Sequence, residues 1–158
     1  KTIGLSSGKL TISILIIQLV AIIGATLFAR LSGLIGNIAT LIIMVVIWIG
    51  VCASAYFVYD ATGFYALAFG VGLVMGGIQS LSRSTYAKFL PSTQDHASYF
   101  SFYDITEKVS IVIGTLGYGM IEQLTGSMRN SVMLLVAFFI GGLVLLIRLS
   151  YLDRKVLA

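Results

Sequence analysis

The sequence predicts an all-α membrane protein, a polytopic bundle of transmembrane helices. Five long apolar stretches follow one another along the 158 residues, and each is near the ~20 residues with which a helix crosses a hydrocarbon core of ~30 Å. The composition agrees, because 58% of the residues are hydrophobic and 10% are charged, whereas a soluble domain is ~25% charged. A soluble domain of this size could not bury five such helices, and its surface would aggregate.

The five helices are predicted, in chain order, at about residues 10–29, 38–58, 64–90, 99–121 and 131–149, and they form one membrane domain over residues 1–158. The apolar cores of the first, second and fifth helices contain no Asp, Glu, Lys, Arg or His. The second and fifth have almost no polar side chains, so we interpret them as lipid-facing support. The third helix continues past its apolar core, and Pro91 ends it. His96 falls in a polar loop, Ser92–Ser98, and is interpreted as solvated.

Basic residues predict how the bundle lies in the membrane. With five crossings, the segments 30–37 and 82–98 and the tail from Arg148 share one side and hold six lysines and arginines, against three on the other side. Cytoplasmic segments carry the excess of basic residues. We therefore expect a cytoplasmic C-terminus, and a bacterial inner membrane as the location.

Small residues recur every four positions along the third helix, from Ala68 through Gly72, Gly76 and Ser80 to Ser84. Such a stripe is typical of close helix packing in membranes, and it would also suit a sliding seam in a conformational change. Gln79 and Arg83 share a second face of this helix. Gln79 lies deep enough to need a hydrogen-bond partner or water, as does Gln18 in the first helix.

The fourth helix carries Asp104, Glu107 and Lys108 near its start. Charges at the centre of a bilayer cost ~2.5–3.5 kcal/mol each on insertion scales, so they usually face a cavity or a partner. Asp104 and Lys108 are four residues apart with the acid first, which predicts an ion pair within the helix. The alternative is that these residues lie at the membrane surface and are merely solvated. Gly114 is predicted to pack against a neighbouring helix.

Several classes of function are disfavoured by what the sequence contains. Cys52 is the one cysteine and His96 the one histidine, so no zinc ligand set is predicted, and we expect neither a metal nor another cofactor. Asp104 and Glu107 are three apart on one helix, which is poor geometry for an intramembrane enzyme. Basic residues are scattered at helix ends and not arranged in a stripe, which argues against nucleic acid as a partner.

Several segments of the chain resemble a known family, the major facilitator superfamily of membrane transporters. The segments that carry the resemblance are Gly76–Ser84, Phe89–Pro91, Tyr99–Lys108 and Gln123–Ser127. They are most similar to the branch of the vacuolar amino-acid effluxer linked to autophagy and its bacterial permease relatives. The resemblance covers essentially the whole chain and is strongest over residues 76–126.

The resemblance implies a protein of twelve helices in two halves, of which this chain would be five helices of the C-terminal half. The first residue is Lys1 and not Met, so we expect a processed chain or a piece of a longer one. The family's cytoplasmic loop motif is only partly present between the first two helices. Arg30 and Gly36 match it, but the acidic position holds Gly33, and Arg83 marks the same side on the third helix.

We therefore expect a secondary transporter that moves a small solute, amino acids by implication of the resemblance, by alternating access. The predicted cavity residues are Gln18, Gln79, Tyr103, Glu107 and Lys108. Its partners would be the lipid bilayer, the solute and the N-terminal half of the same protein, and the chain alone could dimerise through the stripe Gly72–Ser84. The alternative function is a non-transporting membrane scaffold or assembly subunit.

Overall fold

Five α-helices account for nearly all of residues 7–92 and 95–156, which are the residues that the structure, a computed structural model, describes. The helices are α1 Ser7–Ile35, α2 Asn37–Phe57, α3 Ala61–Phe89, α4 His96–Thr125 and α5 Met128–Val156. The all-α prediction is confirmed. Lys1 and the side chains of Lys9, Arg154 and Lys155, which the orientation count uses, lie outside the described part.

Four of the helices, α1, α2, α3 and α5, are long and apolar enough to cross a membrane. The chain is therefore an integral membrane protein. Helix α4 has 30 residues, but charges in its first half and polar residues near its end interrupt its apolar stretch, and it is not among these four helices. Because the helices alternate in direction, we propose that α4 crosses the membrane as well.

Four of the helices extend further than their apolar cores predict, whereas α2 keeps its predicted length. The connections are correspondingly shorter. The predicted loop over residues 30–37 is a single residue, Gly36, with φ +89°, a backbone conformation that glycine adopts without steric cost. His96 is not in a loop but begins α4. Polar residues that would be unfavourable in the hydrocarbon remain helical at the ends of the bundle, because water and caps satisfy their backbone groups there.

Caps fix where α3 and α4 begin and where α4 ends. The Asp60 carboxylate accepts a hydrogen bond from the Gly63 N–H at 3.1 Å, and Asp95 accepts one from Ser98 at 3.2 Å. Hydrogen bonds from Ser98 hold the pKa of the Asp95 carboxyl below its ordinary value. Helix α4 stops at Gly126, which has φ +66° and donates its N–H to the Glu122 carbonyl at 2.8 Å, as in many glycine-terminated helices. Pro91 follows the end of α3, as predicted.

The closest packing in the bundle is between α1 and α3. A Cβ atom at Gly72 would lie 2.7 Å from the Ile17 carbonyl oxygen, and one at Gly76 would collide with the Ala21 carbonyl. The first half of the small-residue stripe therefore brings two backbones into contact. From Ser80 onward the stripe is exposed, so α1 covers only part of it.

Helix α2 is less peripheral than the sequence suggests. It contacts α1, α3 and α5, and it buries Met44 and Cys52 together with Thr40, Leu41 and Val45. Its Trp48 ring stacks on Phe139 of α5 with centroids 5.4 Å apart. Ile43, Val46 and Phe57 remain exposed, so one side of α2 is packed and the other is free for lipid.

Helix α4 stands apart from the rest of the bundle. It contains no buried residue, and its backbone packs against α5 alone in the described part of the chain. Chain direction alternates from helix to helix. We call the end of the bundle where α1, α3 and α5 finish and α2 and α4 begin the basic end, after the lysines and arginines counted above.

Candidate functional site

A cluster of charged and aromatic side chains joins α3 to α4 at the basic end. Arg83 of α3 forms an ion pair with Asp104 of α4, with 3.0 Å between Nη2 and Oδ1. The Arg83 guanidinium also lies 5.6 Å from the ring centre of Phe100 and 5.8 Å from that of Tyr103. We call the set Arg83, Tyr86, Phe100, Tyr103 and Asp104 the clasp.

Tyr86 completes the clasp from the side of α3. Its ring centre is 5.0 Å from that of Tyr103 and 6.0 Å from that of Phe100. Its hydroxyl donates a hydrogen bond to the backbone carbonyl of Tyr99 at 2.9 Å. One turn of α3 therefore meets the first three turns of α4 through an ion pair, ring contacts and a hydrogen bond.

The ion pair that the sequence predicts within α4 is replaced by this contact between helices. The expected partner of Asp104 was Lys108, whereas its carboxylate is bound by Arg83, and Lys108 forms no ion pair with the described residues. A surface pair within one helix contributes only ~0.2–0.5 kcal/mol. The Arg83 guanidinium, which reaches Asp104 from a neighbouring helix, adds its contacts with the Phe100 and Tyr103 rings.

The backbones of α3 and α4 are separated where the clasp joins them. No Cα atom of α3 lies within 8 Å of a Cα atom of α4 in the described residues. Long side chains therefore span the gap, and the interval between the helices is not filled by close packing as it is between α1 and α3.

The clasp is weak enough to open. The side chains of Arg83 and Asp104 are 53% and 40% exposed, and an exposed ion pair contributes ~0–1 kcal/mol. Each cation–π contact at an exposed site adds ~0.5–1 kcal/mol. Together, these contacts are strong enough to close the gap in one conformation and weak enough to let it open in another.

The polar residues predicted to line a cavity lie on uncovered faces. Gln18, Gln79, Glu107 and Lys108 are exposed, and Tyr103 is half-buried inside the clasp. None of the four exposed side chains forms a hydrogen bond or ion pair with the described residues. The described part of the chain therefore leaves these faces uncovered.

Three of these residues lie at one level of the bundle, and one does not. Gln79 is one turn along α3 from Arg83, and Lys108 is one turn along α4 from Asp104, with Glu107 beside it. Because the two helices run antiparallel and meet at the ion pair, these groups lie ~6 Å deeper than the clasp by the helical rise. Gln18 is on α1, whose backbone does not contact that of α4 in the described residues. It lies near Gly72, ~10 Å along the bundle from Gln79.

Of the residues predicted for helix packing, some contact a neighbouring helix and others do not. Gly72 and Gly76 lie against α1, whereas the Ser80 hydroxyl donates to carbonyls of its own helix, those of Gly76 and Gly77, at 3.1 Å. Gly114 packs against no neighbouring helix in the described part of the chain, where no atom of another helix lies within 4 Å of a Cβ built there; Gly117 instead faces Leu134 of α5.

Of the loop-motif residues, Gly36 forms the junction between α1 and α2, Arg30 is exposed on α1, and Arg83 belongs to the clasp.

Sequence reasoning missed the aromatic part of the clasp. Phe100 and Tyr103 are three residues apart, so they share a helix face with Asp104 nearby. Tyr86 is likewise three residues from Arg83. The recurrence of an aromatic residue beside a charge on two successive helices is the signal that could have revealed the contact.

Comparison with known proteins identifies the family. The family model described as "Vacuole effluxer Atg22 like" matches residues 1–156. An uncharacterized MFS-type transporter, YxiO of Bacillus subtilis (strain 168), is 34% identical over 145 residues, which is 91% of this chain and 33% of the relative. Autophagy-related protein 22 of Yarrowia lipolytica is 31% identical over 134 residues, 75% of this chain and 23% of the relative.

A second fungal relative, autophagy-related protein 22 of Eremothecium gossypii, is 31% identical over 111 residues, 65% of this chain and 22% of the relative. The chain thus spans a third or less of the length of these relatives. No solved structure matches it significantly. The match over residues 1–156 and the resemblance carried by Gly76–Gly126 agree, and the chain belongs to the vacuole effluxer Atg22-like family of MFS-type permeases.

Proposed function

We propose that this chain is part of a secondary transporter, in which it supplies one wall of the path for a small solute. The observation that carries the proposal is the gap between α3 and α4, which the clasp closes at the basic end and which Gln79, Glu107 and Lys108 border one turn deeper. In alternating access, two halves rock about a site near the middle of the membrane. A weak contact at one end of that path is what such a cycle needs.

Glu107 and Lys108 are proposed to recognise the solute. A carboxylate and an ammonium that have no partner among the described residues would together match a solute that carries both charges. An amino acid is such a solute, and this is the class to test first. Glu107 would also serve as the proton acceptor if transport is coupled to protons, as carboxylates in transporter helices commonly do.

The other half of the path is proposed to come from the N-terminal half of the same protein, which would cover the open faces of α1, α3 and α4. The basic end is proposed to face the cytoplasm, because lysines and arginines concentrate there. A bacterial inner membrane is the proposed location. The chain is proposed to move its solute unchanged, without a cofactor and not as an enzyme.

The test is solute uptake by the full-length protein in proteoliposomes, with the variants E107Q and K108Q. A hydrogen bond to a charged group contributes ~1.5–3 kcal/mol, so each variant should lower the apparent affinity for an amino acid by roughly 10- to 150-fold. The matched control is E122Q, which neutralises a carboxylate at the opposite end of α4.

Unchanged uptake in both E107Q and K108Q would remove these residues from the path. A full-length protein that inserts and folds normally but moves no solute under any gradient would instead favour the scaffold. Insertion is measured separately, by the protection of Cys52 from a thiol reagent, since Cys52 is buried.

A further inference from the structure

A cavity separate from the α3–α4 gap lies at the basic end, among the ends of four helices. Its volume is about 390 Å³, which is within the ~300–1,000 Å³ of small-molecule sites. It is walled by the junction of α1 and α2, the last turn of α3 and the last turns of α5. Residues of the clasp do not line it.

One wall of this cavity carries a positioned cation. The Lys88 ammonium donates a hydrogen bond to the Asn37 side-chain carbonyl at 3.0 Å. The Asn37 amide in turn donates to the Thr85 hydroxyl at 3.1 Å, and Thr85 donates to the Leu81 carbonyl at 2.6 Å. Thr85 is buried, so this chain of bonds fixes Asn37 and holds the exposed ammonium at the edge of the cavity.

The opposite wall carries an anion. Asp153 of α5 lines the same cavity, and its carboxylate forms no hydrogen bond or ion pair with the described residues. Lys88 and Asp153 thus face one space without forming an ion pair with each other. A ligand that carries a negative and a positive group could satisfy both at once, with bonds stronger than those between neutral groups.

Apart from Ser32 and Ser150, the remaining lining is apolar, and it lies where the membrane surface must be. Ile35, Ile38 and Phe89 border the cavity, and Ile35 and Phe89 are 45% and 49% exposed. They stand at the ends of α1, α2 and α3, three helices that cross the membrane. A ligand here would place its charges in the cavity and its hydrocarbon against these side chains.

We infer that this cavity binds the headgroup of a phospholipid that bears both a phosphate and a primary ammonium, as phosphatidylethanolamine does. Lys88 contacts the phosphate, and Asp153 accepts hydrogen bonds from the ammonium. Phosphatidylglycerol has no ammonium for Asp153. Phosphatidylcholine has a positive charge without an N–H to donate. The site therefore selects among lipids of similar chain length by their headgroups, and it does so independently of transport.

The experiment is native mass spectrometry of the full-length protein released from detergent, with each of the three lipids added in turn. Wild type should bind phosphatidylethanolamine about 10-fold more tightly than phosphatidylglycerol, since a charged hydrogen bond contributes ~1.5–3 kcal/mol. D153N should abolish that preference and leave phosphatidylglycerol binding intact. K88Q should weaken both lipids, and D153K should reverse the preference.

The control is E122Q, a carboxylate removed at the other end of the bundle, which should keep the wild-type preference. An unchanged preference in D153N overturns the inference, as does equal binding of the three lipids to wild type. Soluble phosphoethanolamine is added in a separate arm. If it competes as well as the whole lipid, the ligand is the free zwitterion and the lipid assignment fails. Slow reaction of Cys52 with a thiol dye confirms that each variant is folded.

Discussion

At the scale of single residues, glycines that look alike in the sequence have opposite surroundings in the structure. Gly76 lies against the backbone of α1, and Gly24 of α1 lies against the Leu73 backbone, so each helix contributes glycines to the contact. Gly141 of α5 has open space around it. A stripe of small residues thus indicates that two backbones approach each other. It does not indicate along how much of the stripe they do so.

This contrast predicts opposite effects for one substitution. G76A should destabilise the protein by about 1–3 kcal/mol, because the added methyl meets a backbone carbonyl that cannot move aside easily. G141A should stabilise it by about 0.5–1 kcal/mol, because alanine loses less backbone entropy in a helix. Thermal unfolding in detergent, followed by the reaction of buried Cys52 with a thiol dye, measures both. Equal shifts in the two variants would contradict the packing.

The sequence predicts which side chains are unusual better than it predicts what they contact. Asp104 is identified correctly as a charge that needs a partner, yet its partner is Arg83 and not Lys108. The distance along one helix is readable from the numbering, whereas the approach of a second helix depends on the tertiary arrangement. Asn37 illustrates the same limit, since its link to Thr85 and Lys88 joins residues far apart in the chain.

At the scale of helices, α3 and α4 differ in how they are held. Helix α3 is fixed by backbone contact with α1, while the backbone of α4 packs on α5 and not on α3 in the described residues. The clasp joins α4 to α3 through side chains. The clasp should therefore break more readily than the α1–α3 interface, and α4 is the helix whose position can change at the basic end.

Breaking the clasp should open the gap from the basic end. In the background C52S with Q79C, which borders the gap one turn deeper than the clasp, as the reporter, R83Q should speed labelling by a membrane-impermeant maleimide added on the basic side by several-fold. D104N should act in the same way, since an exposed pair contributes ~0–1 kcal/mol and shifts a near-balanced equilibrium. R148Q, which removes another exposed arginine from the basic end, is the control.

The double variant R83Q/D104N should label no faster than either single variant, because both remove the same contact. Additive acceleration would show that the two residues act separately and that the ion pair does not hold the gap closed.

The order and type of the helices follow from the apolar stretches, but their ends do not. Hydropathy marks where a helix is in the hydrocarbon, and the peptide remains helical beyond that region as long as caps or water satisfy its end groups. Helix α1 therefore runs to Ile35, past the predicted end at Ala29. Pro91 and Gly126 stop their helices through backbone geometry, and Pro91 was the signal that sequence reasoning used correctly.

At the scale of the molecule, one face of the bundle is incomplete. Helix α4 exposes Ile105, Val109, Val112 and Leu116, each by more than half of its side chain. Its charges lie on the same helix, which lipid alone would not favour. The covering proposed above, the other half of the same protein, would remove apolar surface from lipid and enclose the polar residues. The sequence implies this arrangement only through its resemblance to the family.

A second copy should take that place when the 158 residues are expressed alone. Sequence reasoning proposed the stripe Gly72–Ser84 as the dimer surface, but α1 covers its first half, since Gly72 is buried there. The open face of α4 is the surface to test first. In the background C52S, V112C on α4 should form a disulfide-linked dimer on mild oxidation. V46C on α2 should not, although Val46 and Val112 are similarly exposed, at 52% and 55%.

Cross-linking in the full-length protein shows whether this contact also forms when the rest of the protein is present. If its other half covers α4, V112C should stop cross-linking there while V46C stays unchanged, because the face that a second copy uses is already occupied. Cross-linking of V112C that persists in the full-length protein would show instead that α4 forms a dimer interface of the transporter, and the α3–α4 gap would then open towards a second copy and not towards the N-terminal half.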